Sequence, residues 1–239
     1  MREPGSPINI AICVPTHSSV EALFAYDLAQ MMAFTASVMP EHCAIGLHMN
    51  INTYLHKSRT ELLQDALSSG ATHLLWLDSD MRFPKDTAIR LLQRDVPFVG
   101  INYAKREMPP DYVAVKKIPR ESDDPTDGIV LATTDESTGL EEVDVLGFGA
   151  FMMDAAALST LPDPRYDPWF WFDKTEHGED IGEDAYFCLK IVQDHLNQRI
   201  FCDHDLSKEC GHIGNFEYKL YHAEAAAEAR EELEDGAGH

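Results

Sequence analysis

Short apolar runs alternate with stretches of helical spacing along the first part of the chain. Ile8–Pro15 (INIAICVP) is apolar and β-branched, and Pro15 halts it, so it reads as a buried strand. From Ser19 to Met39, apolar side chains recur at Leu23, Tyr26, Leu28, Met31 and Phe34, the spacing of one helix face, and Pro40 ends the run. Cys43–Met49 predicts a second strand. Ser58 with Glu61 three positions later has the pattern of a capping box ahead of Leu62, Leu63, Ala66 and Leu67, and Gly70 supplies the stop. Thr72–Leu77 (THLLWL) predicts a third buried strand that runs directly into Asp78-Ser79-Asp80. Pro84 precedes a short helix over Asp86–Arg94, and Val96–Tyr103 predicts a fourth strand. Strands separated by helices in this order predict an α/β fold, a mostly parallel sheet with covering helices.

The rhythm then changes. Pro109–Asp144 is rich in Pro, Asp, Thr and Ser around two short runs, Tyr112–Ile118 and Ile129–Thr133, which predict an added hairpin or flap. Val143–Met153 (VDVLGFGAFMM) predicts one strand in which Gly147 and Gly149 allow close backbone approach. An aromatic loop, Tyr166–Phe172, leads through an acidic stretch to a helix over Glu183–Asn197, then a last short strand, Arg199–Cys202, and a loop of Cys, His and Gly. Glu224–Asp235 is rich in Ala and Glu and reads as a solvated helix. The division is a single domain over residues 1–215, with a nucleotide-type half at 8–103 and a more irregular half at 104–215, followed by an acidic helix and tail at 216–239.

Composition narrows the function. The 239 residues carry 19 Lys and Arg against 41 Asp and Glu, a net charge of −22. That balance repels phosphate backbones at long range and excludes an extensive nucleic-acid coating surface, although a divalent cation can invert the sign of a small site. No apolar run approaches the ~20 residues needed to span a bilayer. No apolar segment of the secretory kind follows Met1, and the five cysteines lack a CxxC pair, so the expected setting is a reducing, cytoplasmic one.

Asp78-Ser79-Asp80 is the sharpest chemical feature. It lies at the carboxyl end of a predicted strand, where open α/β sheets bind ligands. Period-two alternation would turn both carboxylates to one side if the extended geometry persisted. Two such charges ~4 Å apart repel by about 4 kcal/mol at an effective dielectric of 20, a cost that Mg²⁺ or Mn²⁺ removes. Glu183-Asp184 opens a helix, where acidic side chains match the helix dipole. Glu179-Asp180 offers the same residue types four positions earlier. Lys105 and Arg106 offer positive charge for a diphosphate or form a solvated basic turn. Trp169, Phe170 and Trp171 are a dense aromatic group, suited either to core packing or to stacking on sugars and bases.

The segment His73–Pro84 (HLLWLDSDMRFP) resembles the D-x-D region of GT-A-fold glycosyltransferases, in particular short phage-type ones. The resemblance extends over about residues 8–215. It includes Val14-Pro15-Thr16, Arg59, Gly147–Met152 (GFGAFM), Gly182–Cys188 (GEDAYFC) and Gly211–Gly214 (GHIG). It implies a GT-A (Rossmann-like) fold and a metal-dependent transfer of a sugar from a nucleotide diphosphate sugar, a UDP-sugar foremost, to an acceptor hydroxyl. It further implies that Pro15, Thr16 and His17 lie against the nucleoside and that Arg59 reaches the nucleotide. Asp78 would touch ribose or metal, and Gly149 and Ala150 would lie close to the donor sugar. Asp78, Asp80 and His212 would hold Mn²⁺ or Mg²⁺, and Asp184, with Glu183 next, would take the acceptor's proton. The acceptor stays open between a hydroxymethylated DNA base and the hydroxyl of a carbohydrate, lipid or protein, in a host cytoplasm if the chain is phage-encoded. Two rivals remain. A nucleotidyltransferase would want a Gly-rich basic loop after the first strand, which Thr16-His17-Ser18-Ser19 does not supply. A non-catalytic sugar-nucleotide-binding module would bind without turnover.

Overall fold

In the first strand, Ile10, Ile12 and Val14 face one side while Ala11 and Cys13 face the other, and all five are buried. A strand apolar on both faces belongs inside a sheet covered twice, and the computed structural model of the protein has that architecture. It describes residues 6–117, 128–174, 178 and 180–236. The elements run β1 (Asn9–Thr16), α1 (Ala22–Val38), β2 (Ala44–Ile51), α2 (Leu55–Ser68), β3 (His73–Leu77), β4 (Met81–Arg82), α3 (Thr87–Gln93) and β5 (Phe98–Gly100). They continue through β6 (Val115–Lys117), β7 (Gly128–Val130), β8 (Leu140–Val143), β9 (Ala150–Asp154), β10 (Asp173–Lys174) and β11 (Asp180–Ile181). Next come α4 (Glu183–Tyr186), prolonged by wider π-type turns over Phe187–His195, then β12 (Ile200–Asp203) and α5 (His204–Ser207). The hairpin of β13 (Gly211–Ile213) and β14 (Glu217–Tyr218) leads into α6 (Leu220–Gly236).

Seven strands form the central sheet in the order β2-β1-β3-β9-β5-β12-β8. β2, β1, β3, β5 and β12 share one direction, and β9 and β8 run against it. The expected parallel β-α-β series is therefore present, but β9 is inserted between β3 and β5. One face packs Leu62, Leu63 and Ala66 of α2 and Phe187, Ile191 and Val192 against Leu74, Trp76, Phe151 and Met153. The other packs Phe24, Leu28 and Met31 of α1 and Ala88 and Leu91 of α3 against Ile12, Leu75, Leu77 and Val99. Each fully buried side chain of this size contributes roughly 1.5–3 kcal/mol.

Four sequence expectations change. The predicted strand Val143–Met153 is two: β8 ends at Val143, and β9 begins at Ala150, with Gly147–Gly149 in the turn. Helix α2 starts at Leu55 with Tyr54 as its N-terminal flank, so Ser58 lies inside the helix and caps nothing. The strand expected over Val96–Tyr103 is paired only at Phe98–Gly100. Residues 216–219 are not a tail, because β14 pairs with β13 and Tyr218, Leu220 and Ala223 bury themselves against Ala104 and Tyr112. The expected flap is the β6–β7 pair; Ile118 and the segment to 127 lie outside the described residues, as do Glu179 and Ala237–His239.

Candidate active site

A pocket of about 310 Å³ opens where β1, β2 and β3 end, at their carboxyl termini. Pro15, Thr16 and His17 line it from β1, Asn52 and Thr53 from the end of β2, and Leu55 and Ser58 from α2. Asp78, Ser79, Asp80, Arg106 and His212 complete the wall. Two short contacts shape the rim: Thr16 Oγ1 donates to the Ser19 carbonyl at 2.7 Å, and the Glu21 amide donates to the Ser79 carbonyl at 3.1 Å. Asn52, Thr53 and Leu55 carry no signal of their own in the sequence, and Ser58 reads there only as a capping residue. The rule that ligands gather at the carboxyl ends of parallel strands, applied to β2 as well as β3, would have reached them.

The chain turns after β3, with the Met81 amide donating to the Asp78 carbonyl at 3.1 Å. Period-two geometry therefore does not persist. Asp78 Oδ1 accepts from Arg59 Nη2 at 2.9 Å. Asp80 has different partners, with Oδ2 2.8 Å from Arg106 Nη1 and Oδ1 3.4 Å from His212 Nε2. His212 reaches this position because β13 pairs antiparallel with β4, His212 opposite Met81, and the Ile213 amide donates to the Asp80 carbonyl at 2.7 Å. The resemblance alone had joined these residues, 132 positions apart in the chain; the β4–β13 ladder is the physical link.

His212 Nδ1 lies 3.1 Å from the Ala104 carbonyl, which only accepts, so Nδ1 carries a proton. Nε2 then faces an Asp80 oxygen across 3.4 Å, a gap that a shared proton or a cation would bridge. Imidazoles that bind metals commonly donate their other ring N–H to a carbonyl in this way. Burial opposes ionisation of Asp80, but the bond with His212 and the charges of His212 and Arg106 hold its carboxyl below the usual range. Among the described residues no three His, Cys, Asp or Glu side chains already converge as a metal cage. The donor set on the page is Asp80 with His212, and Asp78 on the same wall is engaged by Arg59.

Beneath the pocket lies a second charged layer. Arg59 is 1% exposed, its Nε donating to Glu183 Oε1 at 3.0 Å and its guanidinium carbon 4.9 Å from the centre of the Phe148 ring. Arg59 is therefore not among the residues that line the pocket. It ties Asp78 to Glu183, and its Nη1 has no hydrogen-bond partner. Burial works against its charge, and Asp78, Glu183 and Asp184 more than offset that. One guanidinium thus faces three carboxylates. Burial first, and Glu183 next, push Asp184 up to about 6. Burial likewise raises Asp78, with Arg59 opposing. Asp180 is set apart, exposed on β11 and 2.6 Å from Lys174.

Gly149 and Ala150 lie under the pocket floor and do not line it. Ala150 is paired with Leu77 inside the sheet. A Cβ on Gly149 would sit 2.7 Å from Tyr103 Cε1, and one on Gly147 would also strike the Tyr103 ring. These glycines make room for Tyr103, whose ring meets that of His212 edge-on at 5.3 Å and whose hydroxyl bonds to the Gly149 backbone. The sequence reading missed Tyr103; the GFG turn was a signal for a large neighbour of unknown identity.

No family model matches the sequence, and no curated protein matches it significantly. Among solved structures, the crystal structure of A197 from STIV aligns with a TM-score of 0.53 at 15% identity, over 87% of this chain and 86% of that one. The likeness is one of fold. A nucleoside-diphosphate-sugar pyrophosphorylase from Vibrio cholerae RC9 aligns at a TM-score of 0.39 and 10% identity, over 85% of this chain and 94% of that one. A glycosyltransferase involved in the glycosylation of the major capsid of PBCV-1 aligns at 0.31 and 16%, over 67% and 68%. These two scores are too low to carry an argument. No helix among the described residues is long and apolar enough to cross a membrane.

Proposed function

We propose that the protein is a metal-dependent glycosyltransferase that takes a nucleotide diphosphate sugar, a UDP-sugar foremost, in the pocket at the ends of β1–β3. One observation carries this reading: Asp80 and His212 meet at 3.4 Å on the wall of a pocket that the β1 loop also lines. Asp80 and His212 would hold Mn²⁺ or Mg²⁺, with Asp78 alongside; the ion, when bound, supplies charge neutralisation for the departing diphosphate. Pro15, Thr16, His17 and Asn52 form the nucleoside side of the pocket, and Arg106 adds a positive charge on the diphosphate side. Asp184, next to Glu183 and Arg59, receives the acceptor hydroxyl's proton. The acceptor oxygen bonds to the anomeric carbon as the bond from that carbon to the phosphate oxygen breaks, and the nucleoside diphosphate leaves with the electron pair. A carboxyl with a pKa near 6 is matched to that task at neutral pH.

The test is a thermal-shift panel of UDP- and GDP-sugars with Mn²⁺ or Mg²⁺, followed by donor turnover with and without EDTA. A binding partner at a hundredfold excess over Kd adds about 2.7 kcal/mol of stability. The expected result is stabilisation by one donor only with metal, and turnover that is lost with EDTA and in Asp80→Asn. Stabilisation without turnover would identify a binding module. No stabilisation by any donor would overturn the reading.

A further inference from the structure

On the outer flank of α2, away from the donor pocket, a groove of about 340 Å³ runs between the helix and the loop at residues 164–172. Phe170 forms its buried floor, stacked on Phe187 with ring centres 4.7 Å apart. Its upper wall is different. Trp171 is 47% exposed and Phe172 52% exposed, and both meet the His56 ring edge-on, at 5.2 and 5.6 Å. Tyr54, also exposed, lies 6.1 Å from the same imidazole. His56 Nδ1 is buried and has no hydrogen-bond partner. Across the groove, Thr60 and Gln64 offer hydroxyl and amide groups.

Lys57, Glu61 and Arg165 also line the groove, and exposed aromatic faces beside such hydrogen-bonding side chains are the chemistry of sugar recognition. The C–H face of a pyranose stacks on a ring while its hydroxyls bond to neighbouring polar groups. The groove is also stapled to the acid pair. β10 and β11 pair antiparallel with Asp173 opposite Ile181, so Phe172 and Glu183 are each within two residues of the same ladder rung. From the other side, His56 and Arg59 are one turn apart on α2, and Arg59 bonds to Glu183. The net charge of −22 selects against a polyanionic occupant.

We propose that this groove binds the acceptor, and that the acceptor is a neutral saccharide chain stacked on Trp171 and Phe172 with one hydroxyl delivered toward Glu183-Asp184. The role as acceptor rests on the glycosyltransferase reading; the saccharide site itself does not. The test separates them by using the full chain in EDTA, without nucleotide, against maltohexaose, cellohexaose and chitohexaose. Of three tryptophans, Trp76 and Trp169 are buried, so quenching by acrylamide reports chiefly on Trp171. The expected result is saturable protection from acrylamide by one hexaose in the wild type, at a Kd of about 1 mM, and, by isothermal titration calorimetry, which needs no tryptophan, binding weakened at least about tenfold in Trp171→Ala. Tyr221→Ala, an exposed aromatic on α6, and Asp80→Asn should leave it unchanged. If protection survives while donor turnover is never seen, the groove stands and the donor reading falls. The proposal is overturned if no hexaose protects Trp171, if Trp171→Ala binds as well, or if sedimentation shows that Trp171 instead joins two copies of the chain.

Discussion

At the scale of single residues, the buried charge layer governs both stability and reactivity. Burial holds the native Asp184 carboxyl protonated to about pH 6, whereas in the unfolded chain it ionises near the ordinary aspartate value of 3.8. Between those values the native state binds more protons, so this group's contribution to stability is full below the unfolded pKa and is lost as pH rises through 6. Asp184→Asn should therefore raise the melting temperature by a few degrees at neutral pH while abolishing transfer. Wild-type transfer should climb through about pH 6 as the base ionises. Equal melting temperatures at about pH 5 and pH 8 for wild type and variant would remove the basis for this assignment. Arg59 gives the opposite sign. Arg59→Met leaves Asp78 and Glu183 facing each other unpaired, at a cost of about 3–5 kcal/mol. Urea unfolding should show that loss at about pH 7.5 and a smaller one in acid, because burial raises the Asp78 carboxyl and protonation there relieves the repulsion.

At the scale of elements, the legible part of the fold was what periodicity encodes. Apolar runs at Ile8–Pro15 and Thr72–Leu77 and the helical spacing after Ser19 placed β1, β3 and α1 to within a few residues. What the sequence concealed were partnerships. Nothing local in Val143–Met153 says that the chain leaves the sheet after β8 and re-enters it at β9, beyond β12 and β5, since a buried strand and a buried turn rich in Gly and Phe share one composition. The resemblance set Arg59 toward a nucleotide, and its counter-ions Asp78 and Glu183 come in from distant elements that no local pattern links to it. The site was legible in its residues and not in their pairing: Asp78 and Asp80 share a pocket but have different partners. Gly149 separates the two accounts of the GFG turn. Gly149→Ala should destabilise by about 1–3 kcal/mol through overlap with the Tyr103 ring. In a Tyr103→Leu background the same change should cost much less, an interaction visible in a double-mutant cycle. If instead Gly149→Ala leaves stability untouched and only weakens donor binding, the glycine serves the sugar and not the tyrosine.

At the scale of the whole molecule, a charge of −22 sets how an anionic donor arrives. Glu224–Asp235 carries six of the acidic residues against the lone Arg230, so part of the field originates on α6. At the pocket one cation stands against that field, because Arg106 is half-exposed beside Asp80 and His212. Which of the two dominates depends on distance. The Debye length falls from ~30 Å at 0.01 M salt to ~8 Å at 0.15 M. Salt therefore strips away the long-range repulsion before it weakens contacts made at about 3 Å. The association rate of a nucleotide diphosphate sugar, measured by stopped flow at fixed divalent ion, should accordingly rise severalfold over that salt range. A basic enzyme built to attract phosphate would show the reverse slope. Arg106→Gln should slow association at every salt concentration while keeping the upward slope, since the slope belongs to the whole surface and the offset to one side chain. A rate that falls with salt would mean that Arg106 and its neighbours steer the donor from a distance, and that the acidic surface is turned away from its path.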